Sequence, residues 1–287
     1  MGIQPHVIGA PARGVLRRLP RIMLPAVALP ALTYFVPGLN PFKLPHLDLT
    51  GPLAVAAYWI AESGGTLGTP LIGLALTALL VSRSGLPGKQ RAVEAFVIVL
   101  AVAALLGGGA YLNEHVVKPS FAVHRPNIIE LAETPPESPA LKMSAETFYA
   151  LPDKAARSEY LKEILTAEVP LHERVRSHWI AETGYSFPSG HSFSAMMFAT
   201  FFLAMGLSHF SGKRLWVFYL LALWAVAVCF SRPILRVHSP TDVCIGGLEG
   251  IVAGIVAFLL VRSVLAVLVP GPAASLREVD QQLGEKS

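Results

Sequence analysis

Three polar segments interrupt an otherwise apolar chain. KPSFAVHRPN holds Lys118 and Arg125, FPSGH holds Ser189, Gly190 and His191, and SRPILRVHSPTD holds Ser231, Arg232, Arg236, His238 and Asp242. Lys118, Arg125 and Arg232 are fixed cations, and the planar fork of arginine suits phosphoryl oxygens. Ser189 and Gly190 precede an apolar run. A helix starting there offers amides without intrahelical partners and a dipole that favours an anion, and Gly190 lets the backbone approach a ligand closely. His238 and Asp242 are four apart and share one face of a helical turn. The carboxylate can hold one ring nitrogen as a donor and leave the other nucleophilic. His191 comes from a different segment and can supply a proton from the opposite side. Nucleophile, acid and cation cradle together are the parts of phosphate chemistry.

Each residue has a plainer role when taken singly. Histidines at helix ends are usually interfacial, arginines there snorkel, and Ser239-x-x-Asp242 is the pattern of a helix cap. Those roles do not account for three cations, two histidines and a carboxylate gathered on one face.

The elements that must gather them are apolar. The chain is 53% hydrophobic and 15% charged, with mean hydropathy +0.54, which excludes an ordinary soluble domain. A bilayer core of ~30 Å takes about 20 apolar residues per helix. Six windows qualify, near Pro20–Val36, Gly65–Val81, Val93–Leu112, Ser192–Leu207, Leu215–Phe230 and Val243–Val261. The expected fold is therefore all-α, a polytopic six-helix membrane bundle. Pro25 and Pro30 make the first window the weakest, and Arg17, Arg18 and Arg21 before it are also compatible with a signal peptide. Leu53–Ala61 is too short to span and reads as an interfacial segment.

Short loops rich in Lys and Arg mark the cytoplasmic side. Arg83, Lys89 and Arg91 join the second and third windows, Lys213 and Arg214 the fourth and fifth, and Arg13, Arg17, Arg18 and Arg21 accompany the first. Both termini are then cytoplasmic and all three polar segments external. The longest connection, residues 114–190, becomes a small helical extracytoplasmic subdomain within a single domain, 1–287. The pI near 9.1 fits contact with anionic lipid headgroups rather than nucleic acid. Cys229 and Cys244 fall in apolar windows and support no disulfide framework. No metal is expected, because no Asp, Glu or Cys cluster has ligand spacing.

The pattern resembles the type 2 phosphatidic acid phosphatase family, whose signature runs K-x6-R-P, P-S-G-H and S-R-x5-H-x3-D. Lys118 to Arg125-Pro126, Pro188-Ser189-Gly190-His191, and Ser231-Arg232 with His238 and Asp242 match its three parts in order. The resemblance implies a six-helix membrane enzyme in a bacterial inner membrane, its site facing the exterior, hydrolysing a lipid phosphate without cofactors. It makes His238 the nucleophile, Asp242 its orienting partner and His191 the proton donor. Lys118, Arg125, Ser189, Gly190 and Arg232 would hold the phosphoryl group. Substrate and bilayer are the implied partners; protein partners are unknown. Phosphatidylglycerophosphate, undecaprenyl diphosphate and phosphatidate all remain open as substrates. Two positions depart from the family, which often has Gly at Arg236 and an aromatic at Ser239.

Other functions fit less well. A lipid phosphotransferase would use the same phosphohistidine with an acceptor in place of water. A transporter would place charges deep in several windows, where only Glu249 is a clear case. The soluble vanadate-dependent peroxidases share the cradle but lack six apolar windows.

Overall fold

The computed structural model of the chain describes residues 10–35, 48–133, 141–167 and 169–269. Among the described residues all regular structure is helical. The helices are α1 (Ala12–Phe35), α2 (Pro52–Ser63), α3 (Gly68–Val81), α4 (Gly88–Leu112), α5 (Lys118–Phe121), α6 (Pro126–Glu133), α7 (Ala145–Tyr149), α8 (Lys154–Ile164), α9 (Glu173–Ala181), α10 (Gly190–His209), α11 (Trp216–Ile234) and α12 (Pro240–Leu268).

Among the described residues four rods are long and apolar enough to cross a membrane: Gly88–Phe121, α10, the stretch Gly212–Ile234 that contains α11, and α12. Two apolar windows take other forms. The short apolar segment Leu53–Ala61 lies within α2, which meets α3 at a 58° bend to form one broken span or a re-entrant pair. α1 covers most of the first window, but lies outside the set of four. Its arginines face outward, while Val15, Leu19, Met23 and Val27 are buried in the bundle.

α10 is the axis of the bundle. Its apolar stretch is 83% buried, against 17% for the Gly88–Phe121 rod, so α10 is surrounded by protein while the other rod faces outward. A helix apolar all round is expected in that position. α12 packs directly on it through a stripe of small residues. A Cβ added at Gly246, Gly250 or Gly254 would lie 2.4, 2.3 or 2.6 Å from the carbonyl oxygens of Ser189, Phe193 and Met197. The four-residue spacing lets the two backbones touch, and it brings the start of α12 against the start of α10.

α4 does not end where the apolar window does. It runs through a π-helical turn, Asn113–Val117, into α5, and stops at Ala122, whose φ of 48° is left-handed. Lys118 therefore lies on the last turns of a continuous rod. The π turn inserts a residue without breaking the helix, an irregularity often found beside functional sites.

A second apolar core lies at this end of the bundle. It joins Ala54, Ala57 and Ala61 of α2 to Ile128, Phe148, Leu161 and Trp179 of the short helices α6–α9, together with Leu235 and Val237. The first core holds Val228 and Cys229 on one side of that segment and Val243 on the other. The segment carrying His238 thus crosses the seam between the two cores.

Candidate active site

Three elements fix His238 in place. Trp179 Nε1 donates to the Leu235 carbonyl at 2.8 Å, the Asn127 amide to the Arg236 carbonyl at 2.9 Å, and Arg125 Nη1 to the Val237 carbonyl at 3.0 Å. Beyond the histidine, Ser239 caps α12 in a capping box. Its hydroxyl accepts from the Asp242 amide at 3.1 Å, and Asp242 Oδ2 accepts from the Ser239 amide at 2.7 Å. The same Asp242 Oδ2 lies 3.6 Å from His238 Nδ1. The carboxylate is thus a helix cap that also faces Nδ1 of the imidazole, on the side the i, i+4 spacing leads one to expect.

The other ring nitrogen faces a cation. Arg125 Nη1 is 3.2 Å from His238 Nε2. A guanidinium has no acceptor, so Nε2 carries the lone pair and Nδ1 the proton. Burial, then the Arg125 charge, hold the His238 imidazole below the ordinary histidine range. It is neutral at pH 7 and presents a free base at Nε2.

Arg125 and Arg232 are both buried, at 1% and 0% exposure, and they converge on one carboxylate. Arg125 Nη2 pairs with Glu182 Oε2 at 2.6 Å and Arg232 Nη2 with Oε1 at 3.2 Å. His191 Nδ1 is 3.9 Å from that same Oε1. Burial alone would raise the Glu182 carboxyl, but Arg125 and Arg232 hold it well below the usual carboxylate range.

Arg232 Nη1 also meets His178 Nε2 at 3.1 Å, and His178 Nδ1 lies 3.7 Å from Glu62 at the α2–α3 bend. Burial, then Arg232, push His178 down to about 3. It is a neutral acceptor that helps fix the guanidinium. Gly65, in the same bend, approaches His191 from the other side; a Cβ there would lie 3.7 Å from His191 Nε2.

Ser189 is the N-cap of α10. It is wholly buried, its hydroxyl accepts from the Ser192 hydroxyl at 3.0 Å, and its amide donates to the Asp242 carbonyl at 3.0 Å. That last bond ties the start of α10 to the start of α12. Gly190 faces open space, since an added Cβ would meet nothing within 4 Å. Lys118 is buried and pairs at 2.8 Å with Glu114, which also pairs with Lys154 from α8.

The family model described as "PAP2 superfamily" matches residues 94–265. The chain belongs to the PAP2 superfamily. Similar curated proteins include the "Phosphatidylglycerophosphatase B" of Escherichia coli K12, 32% identical over 80% of this chain and 84% of that protein, and its Shigella flexneri counterpart at the same figures. The Haemophilus influenzae protein of that name is 29% identical over 68% of this chain and 78% of its own length. This PAP2 protein is accordingly a hydrolase of the phosphatase type.

Sequence reasoning placed the PAP2 signature residues at one end of the bundle, and His238, Asp242, Arg125, Arg232 and His191 do meet there. It missed Glu182, His178, Glu62 and Glu114, which connect them. Glu249, on the face of Asp242, is instead tied to Asn113 of the π turn at 3.5 Å. Arg236 has a φ of 60°. That left-handed conformation is the one glycine adopts freely, which explains the residue common there in the family. The Arg236 side chain pairs with Glu130 of α6.

Proposed function

We propose that this protein is a membrane lipid phosphatase acting through a phosphohistidine on His238. One observation carries the reading: Arg125, Arg232 and His191 converge on a single anionic group beside the free base of His238. A phosphoryl group has the charge and the oxygens to take the place of the Glu182 carboxylate, and Gly190 leaves open space beside it. The α10 amides and Lys118 complete the cradle.

His238 Nε2 attacks phosphorus as Arg125 turns from the ring to a phosphoryl oxygen. The N–P bond forms while the P–O bond to the lipid breaks, and the leaving oxygen takes a proton from His191. Water then attacks phosphorus, giving its proton to His191 as the N–P bond breaks and phosphate departs. Asp242 holds the Nδ1 proton and offsets the imidazolium charge. Acid–base help contributes about 10²–10⁴-fold and the fixed cations the larger electrostatic share.

The name shared by the three relatives favours phosphatidylglycerophosphate as substrate, with undecaprenyl diphosphate and phosphatidate as related candidates. Lys and Arg in the loops after α3 and α10 favour a cytoplasmic position for that end. The catalytic end then faces the exterior of an inner membrane, with α1 and the bent α2–α3 pair completing six crossings. The test is release of inorganic phosphate from these three lipids in detergent without added metal. Phosphate release that depends on His238 supports the reading. Phosphate transferred to a second lipid instead of released would make the protein a phosphotransferase.

A further inference from the structure

A second polar cavity lies at the end of the bundle away from His238. It has a volume of about 460 Å³ and is lined by Ser82, Arg83, Ser84, Arg214 and Trp216, with Phe218 among its apolar walls. These residues follow α3 and precede or begin α11, whose far end carries Arg232. α10 separates the two ends, and its 20 residues span about 30 Å. The cavity and the catalytic cluster therefore belong to opposite leaflets.

The polar wall of this cavity holds the Arg83–Glu94 ion pair and one exposed cation, Arg214. Arg83 is 8% exposed. Its two terminal nitrogens are engaged by Glu94, at 2.8 and 2.6 Å, and by the Leu80 carbonyl at 2.7 Å. Its Nε is buried and has no partner. A guanidinium donor left unpaired in a protein interior is costly, but this one is closed off from the cavity and its charge is paired with Glu94. Arg214, on the same wall, is exposed and has no carboxylate partner among the described residues. The remaining wall is apolar: Leu79, Phe210, Val217 and the 61%-exposed Trp216. Tryptophan beside Arg marks the headgroup level of a bilayer, and about 300–1,000 Å³ is the size of a small-ligand pocket.

We propose that this cavity binds the phosphate headgroup of an anionic phospholipid from the leaflet opposite the catalytic site. Arg214 and the Ser84 hydroxyl contact the phosphate oxygens, and the first acyl carbons lie against Trp216, Val217 and Phe218. A lipid held here braces the α3–α4 connection against the start of α11. Neither the hydrolytic reaction nor its residues require this site.

The test uses delipidated full-length protein in detergent, titrated with dioleoyl phosphatidylglycerol, dioleoyl phosphatidylcholine or inorganic phosphate, with bound lipid counted by native mass spectrometry. Arg214→Gln removes the exposed charge without disturbing the Arg83–Glu94 pair, and Ser84→Asp places a repelling charge in the wall. Each should weaken one phosphatidylglycerol site about tenfold, the scale of one charge-assisted contact. Hydrolysis of a short-chain soluble phosphate should be unchanged in both. Wild-type retention of phosphatidylglycerol by both variants would overturn the proposal. Equal retention of phosphatidylcholine would do the same, and displacement of the lipid by millimolar inorganic phosphate would make the ligand a free anion.

Discussion

Arg125 Nη1 stands 3.2 Å from Nε2 of His238 and so determines which ring nitrogen is the base. The same guanidinium grips Glu182. The free nitrogen of the imidazole is thus covered by a cation, and a carboxylate already occupies the point where Arg125 and Arg232 converge.

If Nε2 attacks phosphorus, His238→Ala should abolish phosphate release while the protein elutes from a sizing column like wild type. Asp242→Asn should lower kcat by about 10²–10⁴-fold, the span of acid–base assistance, yet leave measurable turnover because the nucleophile remains. The same change should lower the unfolding midpoint slightly, since half of the capping box depends on that carboxylate. Unimpaired turnover in His238→Ala would eliminate the phosphohistidine.

If a phosphoryl group takes the place of the Glu182 carboxylate, Glu182 competes with substrate for the two arginines. Removing its charge in Glu182→Gln should tighten inhibition by orthovanadate or inorganic phosphate by about 10-fold or more, the value of one charge-assisted contact. Weaker inhibition would mean that the carboxylate holds the arginines in place rather than occupying the anion's position.

The sign of the acid response follows from His178. Its folded value of about 3 lies below the ordinary 6.5, so between those pH values the unfolded chain binds a proton that the native site refuses. Stability is then fully present above about pH 6.5 and falls as pH drops toward 3. The unfolding midpoint in detergent should decline by several degrees, roughly, from pH 7 to 4.5. His178→Gln, which keeps an acceptor for Arg232, should reduce that decline. An identical pH profile in the variant would assign the acid response elsewhere.

Arg236→Gly relieves a left-handed residue, worth roughly 1–2 kcal/mol, and loses an ion pair worth about 0–1 kcal/mol at a partly exposed position. The midpoint should rise slightly or hold, and kcat/KM should stay within about twofold, as for other surface changes. A loss confined to substrates with a second phosphate would show that Arg236 leaves Glu130 to read the headgroup.

Orientation is checked at Lys162, whose side chain is 67% exposed on α8. With Cys229 and Cys244 replaced by Ala, Lys162→Cys should react with a membrane-impermeant maleimide in intact cells. Reaction only after lysis would reverse the proposed topology.

Much of the site was legible because its signature residues stand at the ends of long apolar runs, where a lone Lys, Arg or His is conspicuous. Glu182 was not, because it is one acid among several in a polar connection, and its partners lie 57 and 50 positions away, at Arg125 and Arg232. Charge is a poor guide to exposure in the same connection: Arg157 is 8% exposed, with Nε donating to the Thr183 carbonyl at 3.0 Å. Glu94, near the start of α4, is fully buried against Arg83, a pairing that hydropathy does not register. Apolar length located α10, α11 and α12. It could not separate a straight crossing from the 58° break between α2 and α3, since bending leaves composition unchanged.

The seam between the two apolar cores has a consequence for how activity is lost. Arg232 comes from the bundle, while Arg125, His178 and Glu182 come from the short-helix layer, so the cradle exists only while the layer is docked. Mild denaturant that loosens the small layer should silence the enzyme while circular dichroism still reports an intact bundle. Catalytic rate is therefore the finer gauge of the native state, and a helical signal alone overstates how much working protein a preparation holds.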